Sequence, residues 1–398
     1  MPDSPRIHRL RADIDVGRPG AVEEFWREVT AAGTPLVEPS DDGHALVTFL
    51  LRAQARHAKV YRFGDGAMDR LPGTDLWYRT ERVPRDLRTN YWFSLDGTAG
   101  VPSDSPVRGI CLDETNPRTM YFPRDRDDQY YTDKRLSVVE LPEAPADEWS
   151  RPRPGVPRGR VLKTVRPTPS LGGRRRLWVY RPAEVPTAGL PVLVVFDGFE
   201  ALSRVLSLTA TLDNLIAAGR IPPLVALLFP SPGHHRRMRE LAPHRRIVDF
   251  VAGELLPWAR HRFGVTADPA RTVVAGQSMG GLAAAWLAYA APGTVGRFIA
   301  QSGSFWWPAP DQGEPQLLSR LYAAADHIPD RCYLDAGTLE TTHSVPGAPS
   351  LLESVRAMRD VLRDRGIEVT YAEYTGGHDY INWRRTFAAA LIAVLGRE

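Results

Sequence analysis

Hydrophobic and polar positions change rhythm part-way along this chain. In the first 150 residues, short β-branched or aromatic runs recur at Ala45–Leu51, Thr89–Leu95, Met120–Phe122 and Leu136–Leu141, separated by turn formers such as Gly64-Asp65-Gly66. Such runs read as half-buried strands, and the pattern predicts an antiparallel β-sandwich. One amphipathic helix is expected before it, over Ala21–Ala32.

Arg151–Arg160 reads RPRPGVPRGR. Proline removes ladder donors and restricts helix, so this stretch is expected to be a linker. Beyond it, apolar runs such as Val192–Phe196 are continuous, as in parallel strands buried on both faces. Strands are expected at 176–180, 191–196, 224–229, 271–275, 297–302, 331–334 and Glu368–Tyr374. Helices are expected between them at 208–218, 247–263, 279–289 and 351–365, with a last one at 383–395. That alternation predicts right-handed βαβ units in a doubly wound, mostly parallel sheet. The expected organisation is a sandwich over 1–150, a linker over 151–160 and an α/β domain over 161–398. Ligands in such sheets sit beyond the carboxyl ends of the strands, so chemistry is sought there.

Composition changes this picture little. Of 398 residues, 43% are hydrophobic and 24% charged, which suits a globular chain. The 50 basic against 47 acidic residues leave +3, too little for a dedicated nucleic-acid binder. Two distant cysteines, Cys111 and Cys332, fit a reducing compartment. The first twenty residues lack the apolar core of a leader, and no run is long enough to span a membrane. A cytoplasmic protein without membrane partners is expected. Nothing in the sequence sets an oligomeric state.

The candidate chemistry begins at Gly276-Gln277-Ser278-Met279-Gly280, a G-x-S-x-G elbow between a predicted strand and helix. The turn forces the serine outward at a helix N-terminus, where negative charge is favoured. A serine nucleophile needs a base, and in α/β-hydrolases the chain order is serine, acid, histidine. His327, His343 and His378 follow Ser278. His378 comes directly after the last predicted strand and is the expected base. The acid should follow the strand before that one, where Asp335 and Glu340 both stand. Glu340, farther into the loop, is favoured for its reach; Asp335, another carboxylate or a serine–histidine pair remain alternatives. The oxyanion hole is expected from the N–H of Met279 and an N–H at Gly198, after strand 191–196.

The segments Arg271–Leu282, Gln301-Ser-Gly-Ser-Phe-Trp306-Trp307-Pro and Gly376-Gly-His378-Asp-Tyr-Ile-Asn-Trp383-Arg384 together resemble the enterochelin (enterobactin) esterases. The resemblance covers the chain from about residue 160 onward. It extends more weakly to the N-terminal region through Asn116-Pro117-Arg118 and Tyr91-Trp92-Phe93. It implies an α/β-hydrolase that opens the trilactone of a catecholate siderophore and helps release iron in the cytoplasm. The iron would enter within the substrate, with no protein-bound cofactor or metal. The family's acid segment is similar to Leu334–Glu340, which supports Glu340. Its arginine before a Glu-Leu pair is here Arg239, and its following asparagine is replaced by His244.

The residues agree with an anionic aromatic substrate. Ser231–Arg246 holds Arg236, Arg237, Arg239, Arg245 and Arg246 against one acid, Glu240. Guanidinium groups offer charge and a stacking plane. Arg236 and Arg239 are candidate substrate contacts, and Trp306 and Trp307 could wall an aromatic pocket; a solvated loop face and simple packing are the respective structural alternatives. His234, His235 and His244 lack a zinc-like spacing. Other readings are a serine hydrolase for another bulky aromatic or peptide ester, an acyltransferase or cyclase for such an ester, since an acyl-serine is also resolved by an alcohol or amine, and a non-catalytic siderophore carrier. The N-terminal region shows no residues of reaction chemistry.

Overall fold

The structure, a computed structural model, describes residues 4–41, 43–96, 111–128, 132–308, 312–326, 328–343 and 345–396. His327 lies outside them. By contact the described residues fall into two compact units. One lies within Met1–Arg124, Thr132–Pro145 and Thr375–Asp379; the other lies within Asp125–Tyr131, Ala146–Tyr374 and Tyr380–Glu398.

The first unit is antiparallel throughout its described strands. Leu36–Pro39, His44–Arg52, Leu76–Pro84 and Asp69–Arg70 form one sheet in that spatial order. Arg88–Tyr91, Lys134–Glu140 and Thr119–Phe122 form a second, and Ala58–Val60 pairs with Phe93–Leu95. The expected strand Thr89–Leu95 is therefore two. It breaks at Trp92, whose ring stacks on Tyr61 at 5.0 Å and 11°. The helix Ala21–Ala32 forms as expected and buries Phe25, Trp26 and Val29. A preceding helix, Pro5–Asp15, escaped the sequence reading because it buries only Ile7 and Leu10. Ser4 caps it, accepting from the Ile7 N–H (3.3 Å).

In the second unit the strands are labelled β1 (Arg160–Pro167), β2 (Arg174–Arg181), β3 (Val192–Phe196), β4 (Val225–Phe229), β5 (Thr272–Gln277), β6 (Arg297–Gln301), β7 (Arg331–Gly337) and β8 (Glu368–Tyr374). They form one sheet in the order β1-β2-β4-β3-β5-β6-β7-β8. The strands from β4 to β8 are parallel, while β1 and β2 pair antiparallel. This is the expected α/β-hydrolase sheet. Period-two alternation divides each central strand between two cores: Val192, Val194 and Phe196 face one, Leu193 and Val195 the other. Helix Met279–Ala290 packs on the first face and helix Tyr380–Leu395 on the second.

One expectation is corrected. The single helix over 247–263 is interrupted by a π-helical stretch at Asp249–Leu255. The outer strand β1 begins at Arg160, the last residue of the proline-rich run, and most of its residues are exposed. Helix Leu351–Asp364 opens with a capping box, Ser350 accepting from the Glu353 N–H (3.3 Å) and the Glu353 carboxylate accepting from the Ser350 N–H (2.7 Å). Ser350→Ala should therefore lower the unfolding free energy by about 1 kcal/mol. The readout is a urea midpoint that falls without a change of slope.

Candidate active site

Ser278 sits between β5 and helix Met279–Ala290 with φ 58° and ψ −120°. Such a backbone costs a non-glycine residue about 1–3 kcal/mol and needs support from its surroundings. Support comes from β6 and beyond. The Ser278 N–H donates to the Gln301 carbonyl (2.9 Å), and its own carbonyl accepts from Leu282 (3.1 Å) and Ser304 (3.1 Å). A Cβ on Gly276 would lie 2.5 Å from the Gly280 backbone, so the turn closes only with glycine there. The half-buried Ser278 hydroxyl lies 3.3 Å from that of Ser304, a neighbour the sequence reading did not single out.

The two expected oxyanion donors stand at adjacent strand ends. Met279 is the first residue of its helix, and first-turn N–H groups have no partner within the helix. Gly198 opens the short helix Gly198–Leu202 after β3. A Cβ there would fall 2.6 Å from the backbone of Leu228 in β4, so glycine is required for packing.

Between these donors lies a pair that sequence reasoning missed. The Arg237 guanidinium donates to both oxygens of Asp197 (2.8 and 2.6 Å) and to the Gln277 carbonyl (3.2 Å), next to Ser278. Asp197 is 1% exposed and has φ 52°. Burial works against charge on Arg237, but the Asp197 carboxylate outweighs it and holds the guanidinium above its ordinary pKa. The signal was present in the sequence only as one arginine among five.

That arginine run is not a loop. It occupies helices His234–Glu240 and Arg245–Val248. Arg236 donates to Glu240 (2.7 Å), which also accepts from Arg175 (2.7 Å), and Arg245 pairs with Asp249 (2.7 Å). Arg239 is exposed. His244 caps the second helix, accepting from the Ile247 N–H (3.3 Å), while its other ring nitrogen meets the Arg239 carbonyl (2.8 Å). Trp306 and Trp307 follow β6 and are half-buried, and Trp307 packs against the core on the side of helix Met279–Ala290. Among the described residues, no group of three or more His, Cys, Asp or Glu side chains is placed to hold a metal.

Beneath the elbow runs a buried polar network. Gln277 donates to Gln301 (2.9 Å), which donates to Thr386 (2.6 Å) and the Trp383 carbonyl (2.9 Å). Ser302, with φ 45°, donates to Glu340 (2.9 Å) and accepts from the Trp383 indole (3.0 Å). Glu340 also accepts from the Gly337 N–H (2.7 Å). Asp335 is fully buried within β7, two residues before its end, and accepts from Tyr333 (3.3 Å) and the Ser302 N–H (3.2 Å). Burial pushes its carboxyl up to about 7; hydrogen bonds from Thr386 and Gln301 oppose this, and the nearby Glu340 adds to it. The two acid candidates thus have different settings: Asp335 is enclosed in the sheet, and Glu340 lies in the turn beyond it.

His378 lies in Thr375–Asp379, the connection from β8 to helix Tyr380–Leu395, and this connection groups with the first unit. His343 is engaged in its own loop, its Nδ1 within 3.0 Å of the Ala348 carbonyl.

Two family models match the chain: Esterase over residues 168–394, and the N-terminal domain of enterochelin esterase over residues 46–150. The chain is 31% identical to the iron(III) enterobactin esterase of Dickeya dadantii, over 91% of this chain and 90% of that one. The chain belongs to the enterochelin esterase family. This esterase is a carboxylic ester hydrolase. It is also 30% identical to the iron(III) salmochelin esterase of Escherichia coli O6:H1, over 95% of each chain. The crystal structure of the ferric enterobactin esterase of Salmonella typhimurium shares its fold with a TM-score of 0.71 at 26% identity, over 94% of this chain and 98% of that one.

Two outcomes are expected of this esterase. Arg237→Met leaves Asp197 buried without its counter-charge and should cost about 3–5 kcal/mol in urea unfolding; an unchanged midpoint would mean that the pair contributes nothing. Asp335 keeps its proton in the fold at pH values where the unfolded chain, with a pKa near ~3.9, has lost it. Stability should therefore fall as pH rises from about 4 to about 7 and level off above that. Asp335→Asn should remove this part of the slope in unfolding curves taken across that range.

Proposed function

We propose that this esterase hydrolyses the backbone esters of a catecholate trilactone siderophore of the enterobactin kind, with iron carried in the substrate and no resident cofactor. The observation that carries this reading is likeness over nearly the whole chain, N-terminal region included, to proteins named for iron(III) enterobactin and salmochelin. Release of iron in the cytoplasm completes the proposal. It is supported by two cysteines that are both free thiols, and no helix among the described residues is long and apolar enough to cross a membrane.

In the proposed reaction, Ser278 Oγ attacks an ester carbonyl carbon while His378 takes its proton. Glu340 orients the imidazole. The negative charge that develops on the carbonyl oxygen is met by the N–H groups of Met279 and Gly198. The C–O bond then breaks, and His378 returns the proton to the departing seryl alcohol. Water enters, gives a proton to His378 and attacks the acyl-serine; the bond from the acyl carbon to Oγ breaks, His378 hands the proton to Oγ, and the carboxylic acid leaves with Ser278 restored. Arg239, Arg236, Trp306, Trp307 and His244 are the proposed substrate contacts. Arg239 is the exposed cation of its helix, whereas Arg236 and His244 would have to share their present partners with the substrate.

Incubation with ferric and iron-free enterobactin, followed by mass spectrometry, should show ring opening by addition of one water per ester cut. Ser278→Ala should bind the siderophore with near-normal affinity and lose about 10³-fold or more in turnover. Glu340→Gln should lose about 10²- to 10⁴-fold with little change in KM. An intact trilactone after incubation with the wild-type protein would refute the substrate assignment.

A further inference from the structure

The first unit carries none of the residues that define the elbow, yet it contains the segment that bears His378. Thr375–Asp379 is counted within it by contact. Its backbone is bonded there, the Arg88 N–H donating to the Thr375 carbonyl (3.0 Å). Directly after the histidine, Asp379 is 2% exposed, and one of its oxygens accepts from the Thr89 hydroxyl (2.6 Å) and from the Asn90 N–H (3.2 Å). Thr89 and Asn90 are themselves 0% and 1% exposed. Directly before the histidine, Gly377 lies against the same strand: a Cβ on it would come within 3.3 Å of the Thr89 hydroxyl and 3.0 Å of the Arg62 side chain. Arg62 donates to Asn90 Oδ1 (3.3 Å) and lies over the Trp92 ring at 4.8 Å.

We infer that Thr89, acting through Asp379, is a positioning residue for His378, which gives the N-terminal region a part in catalysis. The physical case is one of geometry. His378 stands between two residues packed on strand Arg88–Tyr91. A carboxylate held by a short charge-assisted bond and a backbone N–H fixes its own peptide and the one before it. Proton transfer from a serine hydroxyl tolerates little misplacement of the imidazole, and an error of about 1 Å costs on the order of 10²-fold. The inference rests on His378 being the base.

The decisive variants are Thr89→Val, which keeps shape and strand propensity but removes the donor, and Thr89→Ser, which keeps the hydroxyl. Thr89→Val should lower kcat on ferric enterobactin by about 10-fold or more with KM within about threefold of wild type, and should slow fluorophosphonate labelling of Ser278 in parallel. Thr89→Ser should restore kcat to within about threefold. A Thr89→Val enzyme with wild-type kcat, or a loss that Thr89→Ser fails to restore, would overturn the inference. If Thr89→Val does not fold, Asp379→Asn replaces it, and a normal kcat in that variant overturns the inference equally. His378→Ala is assayed alongside: if it retains activity, the reading of the base has failed; if it is inactive while Thr89→Val is normal, only the positioning role has.

Discussion

The site depends on one steric constraint, repeated three times. Strands β3, β5 and β6 are neighbours, and each is followed by a side-chain-bearing residue forced to positive φ: Asp197 at 52°, Ser278 at 58° and Ser302 at 45°. An isolated chain would avoid all three conformations, at about 1–3 kcal/mol each. The sheet imposes them because parallel register places the three strand ends at one level, where the Ser278 and Ser302 turns are bonded to the next strand and Asp197 is tied to the Gln277 carbonyl through Arg237. Ser278 hangs on β6 through the Gln301 carbonyl, and Ser302 hangs on β7 through the Asp335 carbonyl (both 2.9 Å). The elbow is thus the middle member of a row rather than a lone strained turn.

Charge is handled differently on the two sides of that row. Toward β3 and β4 the buried carboxylate of Asp197 is matched by a guanidinium, which stays ionised at any working pH. Toward β7 the second carboxylate, Asp335, has amide, hydroxyl and phenol partners and is raised in pKa, while Glu340 takes the bonds from Ser302 and Gly337. Two carboxylates close together are best accommodated when one stays neutral. On that ground the raised carboxyl of Asp335 is the one suited to keeping a proton inside the sheet.

Most of the α/β unit was legible because its signals are local. Continuous apolar runs marked β3, β4 and β5, Gly276 and Gly280 marked the elbow, and β8 was bounded correctly at Glu368–Tyr374. What stayed hidden depends on partners far away in sequence. Arg237 is indistinguishable from Arg236 and Arg239 until Asp197, forty residues earlier, is seen against it. Asp335 and Glu340 differ only in what encloses them. Helix Pro5–Asp15 was invisible because two buried side chains in eleven residues make too faint a stripe. The segment around His378 was read correctly as the connection between a strand and a helix, but its anchorage on Arg88–Tyr91, nearly three hundred residues away in sequence, leaves no periodic trace.

The outermost strand of the large sheet has a further consequence. β1 turns a mostly exposed face outward, with Val161, Leu162 and Val165 among its uncovered side chains. An exposed edge strand carrying apolar side chains can template pairing with a second copy. Arg160, Lys163 and Arg166 are interspersed along it and Pro167 ends it, so an incoming identical margin would meet like charges and a missing donor. The same strand that widens the sheet also discourages the protein from extending it into a fibre.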